Sequence, residues 1–176
     1  MNLFLIKKYL SYILKPLSKT SFLTKLKKNA KILDVGCGNN SGFRTKKILP
    51  FCKYTGLDIG EQFSTDSKNN QEKFIYTPSS EFCKTINDIN QKYDAVISCH
   101  NLEHCEDRYG VLSALCKKLK KNGLLYLSFP SIYSINFPSR RGTSLNYFDD
   151  NTHTNLPPNF SNVLEIISDN NLIILK

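Results

Sequence analysis

Four groups of residues combine types and spacings that can do chemistry. The first is KILDVGCGNN, residues 31–40. Ile32, Leu33 and Val35 read as a short buried strand, and Asp34 stands near its carboxyl end, where it can reach a cationic or hydroxyl group. Gly36 and Gly38 permit positive φ and leave a bare backbone surface against which a flat nucleoside can lie. The second is Asp58 in YTGLDIG, 22 residues after Gly36. In nucleotide-binding α/β folds an acidic residue at the tip of the second strand accepts hydrogen bonds from the ribose hydroxyls, and the spacing suits that role. The third is SCHNLEHCED, Ser98 to Asp107, where His100 and His104 lie four apart between Cys99 and Cys105. This pattern invites zinc, but the two cysteines would leave a helix at different angles from the histidines. No CxxC pair supports them, and the expectation is that no metal is held. The fourth is PSRRGTSLNYFDDNTHTNLPP, which carries Arg140 and Arg141 side by side in a chain of twenty lysines and four arginines. A guanidinium fork suits bidentate binding of phosphate or carboxylate, whereas a solvated basic turn is the plainer alternative.

These groups need a scaffold, and the apolar patterning supplies one. Strands are expected at 31–35, 53–57, 73–76, 93–98, 123–129 and 171–175, with helices near 43–49, 81–91, 107–121 and 159–169. The segment 60–72 is polar and weakly patterned, so a helix there is short or replaced by loop. Such alternation implies an α/β fold with a mainly parallel sheet covered on both faces, and ligands at the carboxyl ends of the strands. Pro130 to Pro158 shows neither helical nor strand periodicity, and loops of that length inside a compact domain are usually functional.

DVGCGNN, GLDIG, YDAVISCHNLEH and LKKNGLLYLSFP, in that order, resemble the ordered motifs of class I S-adenosylmethionine-dependent methyltransferases. They are most similar to the small-molecule branch called methyltransferase type 11. The resemblance covers Lys31 to Lys176 and implies a Rossmann-like doubly wound sheet with S-adenosyl-L-methionine as cofactor. Asp34, Gly36, Cys37, Gly38, Asp58, Ile59, Ser98 and Cys99 would border that cofactor. Asn39 and Asn40 stand where the family usually has a further small residue, which implies a tighter loop around the methionine tail. The resemblance also implies that His104 points toward the acceptor pocket and that His153 faces the cleft, oriented by Asp149 or Asp150. Either histidine would serve as a general base, with Arg140, Arg141, Asn146 and Tyr147 as acceptor contacts. The family's sheet normally has seven strands, and the seventh is apparently missing here. An open position in a sheet leaves main-chain donors and acceptors to be satisfied by something else.

The chain has 176 residues, 40% of them hydrophobic, enough for one core. Its net charge of +9 is unevenly placed: residues 1–33 hold eight lysines and no acid, leaving the rest with sixteen basic and fifteen acidic residues. A nucleic-acid enzyme would spread basic residues over its catalytic face, so a nucleic-acid partner is disfavoured. Residues 1–30 read as a basic extension and 31–176 as the catalytic domain. Leu3, Ile6, Leu10 and Ile13 form the apolar stripe of an amphipathic helix ended near Pro16, either a lid beside the cofactor cleft or a contact with an anionic membrane surface. No apolar run approaches the ~20 residues of a membrane span, and MNLFLIKK lacks a signal peptide's features. The expected location is cytoplasmic, or peripheral at the inner face of the membrane. Six cysteines at irregular spacings read as reduced, mostly buried thiols.

The favoured function is O-methylation of a small or glycan-like acceptor bearing phosphate or carboxylate, by a monomer or a homo-oligomer. A non-catalytic methyltransferase-like partner subunit is the alternative. A nicotinamide enzyme is disfavoured, because the glycines do not form GxGxxG and no Tyr-x-x-x-Lys pair is present.

Overall fold

A computed structural model of the chain describes residues 17–60, 72–140, 145–153 and 155–175. The amphipathic segment before Pro16 and Arg141 both lie outside the described residues. Five strands, β1 (Lys31–Val35), β2 (Lys53–Asp58), β3 (Glu72–Tyr76), β4 (Tyr93–Cys99) and β5 (Leu119–Ser128), form one sheet. Its order is β3-β2-β1-β4-β5, and every neighbouring pair is parallel. The helices are α1 (Lys19–Thr24), α2 (Ser41–Ile48), α3 (Phe82–Asp88), α4 (Arg108–Lys117) and α5 (Phe160–Asp169).

Strand alternation sorts the core into two layers. Ile32, Tyr54, Ala95 and Ile97 pack with Leu23 of α1 and with Leu49 and Cys52. Leu33, Val35, Leu57 and Val96 pack with Phe82 and Ile86 of α3, with Val111, Leu112 and Leu115 of α4, and with Val163 of α5. A sheet buried on both faces is what continuous apolar strands of the KILDV and DAVIS kind require. The chain runs outward from β1 to β3 and then crosses back to β4 on the other side of β1. The crevice at the carboxyl ends of β1 and β4 is therefore the topological switch point, where such folds bind ligands.

Three local expectations need correction. The strand expected at 123–129 begins at Leu119, and the helix expected to reach residue 121 ends at Lys117. LKKN has helical composition, but its strand pairing wins: Tyr93 pairs with Leu119 and Ala95 with Leu124, with an irregularity between them and Asn122 at φ 63°. Residues 171–175 join no ladder among the described residues. After Asn171, at φ 57°, Ile173, Ile174 and Leu175 run beside β5 around a cavity of about 330 Å³ and stay exposed. Among the described residues the outer edge of β5 is unpaired. The six cysteines are free thiols, four of them buried, as expected.

Candidate active site

The glycine corner follows directly on the end of β1 at Val35. Gly36 and Gly38 have φ of 71° and 56°, left-handed values that glycine adopts without strain. The Gly36 and Cys37 N–H groups both donate to the Leu57 carbonyl at the end of β2, at 2.9 and 3.3 Å. A Cβ on Gly36 would stand 2.5 Å from the Asn101 side chain, so the corner is pressed against the loop after β4. Gly56 in β2 answers the same need from the other side, since a Cβ there would meet Cys37 Sγ at 2.8 Å.

Two carboxylates organise this corner. Asp34 is 1% exposed, and its Oδ2 accepts from Lys19 Nζ at 2.8 Å, Ser41 Oγ at 2.5 Å and Tyr54 OH at 2.9 Å. It reaches a cation and two hydroxyls, as its position in the sequence suggested, but they belong to this chain. Its Oδ1 has no partner among the described residues. Asp58 accepts from the Gly38 N–H at 2.6 Å and from the Ile59 N–H at 2.7 Å. Beside the corner lies a cavity of about 510 Å³ lined by Gly36, Cys37, Gly38, Cys99, Lys19 and Arg44, among others. Burial, with Asp34 and Asp58 nearby, pushes the Cys37 thiol up to about 12. Cys37 is therefore a neutral wall residue and no nucleophile.

The second centre is built on the 3-10 turn Leu102–His104 and on the loop after β5. His104 and His153 approach to 4.8 Å between ring centroids, and His153 stacks on Tyr147 at 4.1 Å. His153 Nδ1 lies 2.6 Å from the Tyr147 carbonyl, which can only accept, so Nδ1 donates and, in the neutral ring, Nε2 carries the lone pair. His104 Nδ1 lies 3.3 Å from the Thr152 carbonyl and 2.9 Å from Thr152 Oγ1, which itself donates to Asp150 Oδ1 at 2.5 Å. That chain also makes His104 Nδ1 a donor, so that in the neutral ring Nε2 carries the lone pair. Glu103 is 1% exposed, with Oε1 3.2 Å from His100 Nδ1. This contact raises the His100 pKa, and His100 holds φ 49° at the end of β4.

Several sequence-based expectations change here. Of the two aspartates expected beside His153, Asp150 is the nearer, with Oδ2 3.9 Å from Nε2, an ion-pair contact longer than a hydrogen bond, while Asp149 accepts from Ser139 Oγ and the Asn146 N–H. The hydrogen bond that orients the ring goes to the Tyr147 carbonyl. Asn146 is buried, and its side chain is spent on the Ile135 and Phe137 carbonyls and the Phe148 N–H, which leaves it shaping the loop. Tyr147 is 2% exposed and meets His153 with its ring face. Ser98 is fully buried, with Oγ accepting from Asn101 Nδ2 at 3.3 Å, while Cys99 lines the corner cavity. Arg140 is exposed. Cys105 turns its Sγ to the Asn101 carbonyl, so the Cys-His-His-Cys pattern does not converge. Lys19, Ser41, Asn101 and Thr152 take part without having been marked by the sequence.

The methyltransferase domain family matches residues 6–164, and the chain belongs to it. This is the class of S-adenosylmethionine-dependent enzymes that the four motifs resemble, and S-adenosylmethionine is the cofactor of the class. Over 107 residues the chain is 34% identical to malonyl-[acyl-carrier protein] O-methyltransferase of Acetivibrio thermocellus, a match covering 58% of this chain and 36% of that protein. An uncharacterized methyltransferase of Schizosaccharomyces pombe is 25% identical over 114 residues, covering 58% and 39%. The matches thus span little more than a third of these relatives' length. Among solved structures, an O-methyltransferase family protein from Burkholderia thailandensis superposes with TM-score 0.61 at 12% identity, covering 93% of this chain and 52% of that one. Coclaurine N-methyltransferase, bound to N-methylheliamine and SAH, gives 0.54 at 14% identity, covering 78% and 41%. These likenesses confirm the Rossmann-like fold. They include both O- and N-methyltransferases, so the fold does not select the acceptor atom.

Proposed function

We propose that the chain transfers a methyl group from S-adenosylmethionine to an oxygen of a small or glycan-like acceptor. The carrying observation is the pairing of the glycine corner, with its adjoining cavity, and two imidazole Nε2 atoms at the same end of the sheet. The cavity suits the cofactor. Lys19 and Arg44 line it, cations fit for a methionine carboxylate, and Gly38 presents open backbone, since a Cβ there meets nothing within 4 Å. Asp58 would take the ribose, exchanging the Gly38 N–H for a hydroxyl donor. Ile59, 64% exposed, would lie along the base. The backbone from Asp34 to Gly38 and from Ser98 to Cys99 would complete the enclosure.

Bound S-adenosylmethionine supplies an already activated methyl on a sulfonium. The protein's work is then to align the acceptor, exclude water and accept a proton. His104 Nε2 and His153 Nε2 are the groups available for the proton, each held in one tautomer by its Nδ1 partner. Arg140, with Arg141 beyond the described residues, would meet an anionic group on the acceptor. The edge of β5, unpaired among the described residues and with Ile173 81% exposed beside it, favours a second reading, a methyltransferase-like subunit that docks on a partner.

Calorimetry with S-adenosylmethionine, S-adenosylhomocysteine and reduced nicotinamides, followed by labelled methyl transfer to sugar and sugar-phosphate acceptors, tests the proposal. Binding of the two sulfur nucleosides alone, with label in an ether or ester, is the expected result. Tight S-adenosylhomocysteine binding without transfer, together with a stable hetero-complex, would favour the second reading.

A further inference from the structure

We propose that Glu103, His104 and His153 bind one divalent first-row cation of the zinc type, leaving coordination positions open for an acceptor oxygen. This rests on the methyltransferase reading above and deepens it, turning two candidate bases into ligands. It also departs from the sequence-based expectation that no metal is held.

The geometry carries it. One ligand atom from each of the three residues can be chosen so that all lie within 4.8 Å of one another, the only such group found among the described residues. Three ligands at ~2.0–2.1 Å around a tetrahedral ion stand about 3.3 Å apart. The three ligand atoms therefore need to draw together by at most about 1.5 Å to close on the ion. Two imidazoles and one carboxylate are the donor set of catalytic zinc sites and of open iron sites, which keep positions free for substrate or water.

The surroundings are those of ligating histidines. A metal-bound imidazole donates its other N–H to a carbonyl or carboxylate-linked group, which fixes the tautomer and raises ligand basicity. His153 Nδ1 does this to the Tyr147 carbonyl at 2.6 Å, and His104 Nδ1 to Thr152 Oγ1 at 2.9 Å, with Asp150 behind it. Asp150 Oδ2, 3.9 Å from His153 Nε2, adds negative charge from the loop side. Glu103 Oε1 is oriented by His100. A 2+ ion on two neutral imidazoles and one carboxylate keeps a net positive charge, which draws in an oxygen ligand and disfavours an amine already protonated in water. This gives the acceptor class a physical basis independent of the arginines.

The test uses the untagged full chain, stripped with EDTA and dialysed. It is titrated by calorimetry with zinc chloride, manganese chloride and magnesium chloride, and with cobalt chloride by visible absorption. The inference expects one equivalent of zinc and of cobalt, d–d bands of four- or five-coordinate cobalt, and binding at least ~30-fold weaker in His104→Ala and His153→Ala. Thr152→Val should weaken binding about 10-fold through the loss of its hydrogen bond to His104. Should the alanine variants fail to fold, histidine ¹⁵N spectra of the native protein decide: zinc should shift the Nε2 signals of two histidines, with the third little changed. No stoichiometric zinc binding, equal binding in a His104→Ala/His153→Ala double variant, or preference for magnesium over zinc would overturn the assignment. S-adenosylhomocysteine titration of the same sample separates the failures. If it binds while zinc does not, only the metal site falls; if neither binds, the cofactor reading falls as well.

Discussion

The Gly38 amide donates to the Asp58 carboxylate at 2.6 Å, so the two halves of the nucleotide motif, twenty residues apart, are joined by one hydrogen bond. The second Asp58 oxygen holds its own neighbour Ile59 at 2.7 Å. The carboxylate that would take the ribose hydroxyls therefore already shapes the loop that would meet the methionine.

Removing it should damage binding twice over. Asp58→Ala should weaken S-adenosylhomocysteine affinity by at least ~30-fold, since charge-assisted hydrogen bonds contribute roughly 1.5–3 kcal/mol each. Asp58→Asn keeps one acceptor oxygen and should fall between alanine and the native protein. Calorimetry on the three proteins checks this, and equal affinities would remove Asp58 from the site.

The two glycines of the corner should respond differently to alanine. At Gly36, φ 71° combines with an Asn101 side chain 2.5 Å from the added Cβ, whereas at Gly38, φ 56°, nothing lies within 4 Å. Gly38→Ala should destabilise by ~1 kcal/mol through backbone strain alone. Gly36→Ala adds overlap with a buried loop and should cost about 2–4 kcal/mol. Chemical denaturation resolves the difference, and the reverse order would contradict the packing of Asn101 against Gly36.

Much of this architecture was legible in the chain. KILDV and YDAVIS are apolar runs bounded by turn residues, and parallel strands buried on both faces leave that signature. The corner was readable because glycine at positive φ has few substitutes. The limits were physical too. LKKN at 119–122 has good helical composition, and only its pairing with Tyr93 draws it into β5. Lys19, from the basic extension, closes on Asp34 across fifteen residues, a contact that no local spacing announces. His153 was marked, but its orientation comes from the Tyr147 carbonyl, a backbone group that any residue could have supplied.

At the amino end of the sheet, away from the site, Asp94 offers a pH test. Partial burial raises its carboxyl, but the hydrogen bonds from Lys120 Nζ and the Lys31 N–H, both at 2.8 Å, outweigh this and hold it below the ordinary 3.8. A depressed folded-state pKa means stability present above the unfolded value and lost as pH falls through the folded one. Asp94→Asn should therefore destabilise the protein at pH 7 by roughly 1 kcal/mol or less, given its partial exposure. The gap should begin to close at about pH 4 and vanish only once the pH is below the depressed folded-state value. Thermal melts from pH 3 to 7 check this, and affinity for S-adenosylhomocysteine should be unaffected at pH 7.

The histidine pair distinguishes acceptor chemistries. A hydroxyl acceptor has a pKa far above neutrality and needs help in losing its proton, whether from a base or from a metal that His104 and His153 hold. A phosphate or carboxylate oxygen is already ionised and needs only alignment. With a hydroxyl acceptor, His104→Ala or His153→Ala should lower turnover by ~100-fold or more while leaving S-adenosylhomocysteine affinity within about threefold. With an anionic acceptor, turnover should change little, and Arg140→Ala should instead raise KM. Single-turnover methyl transfer, with the cofactor saturating in each variant, separates the two patterns. A large loss at the histidines together with no effect at Arg140 would assign a neutral hydroxyl as the methylated group.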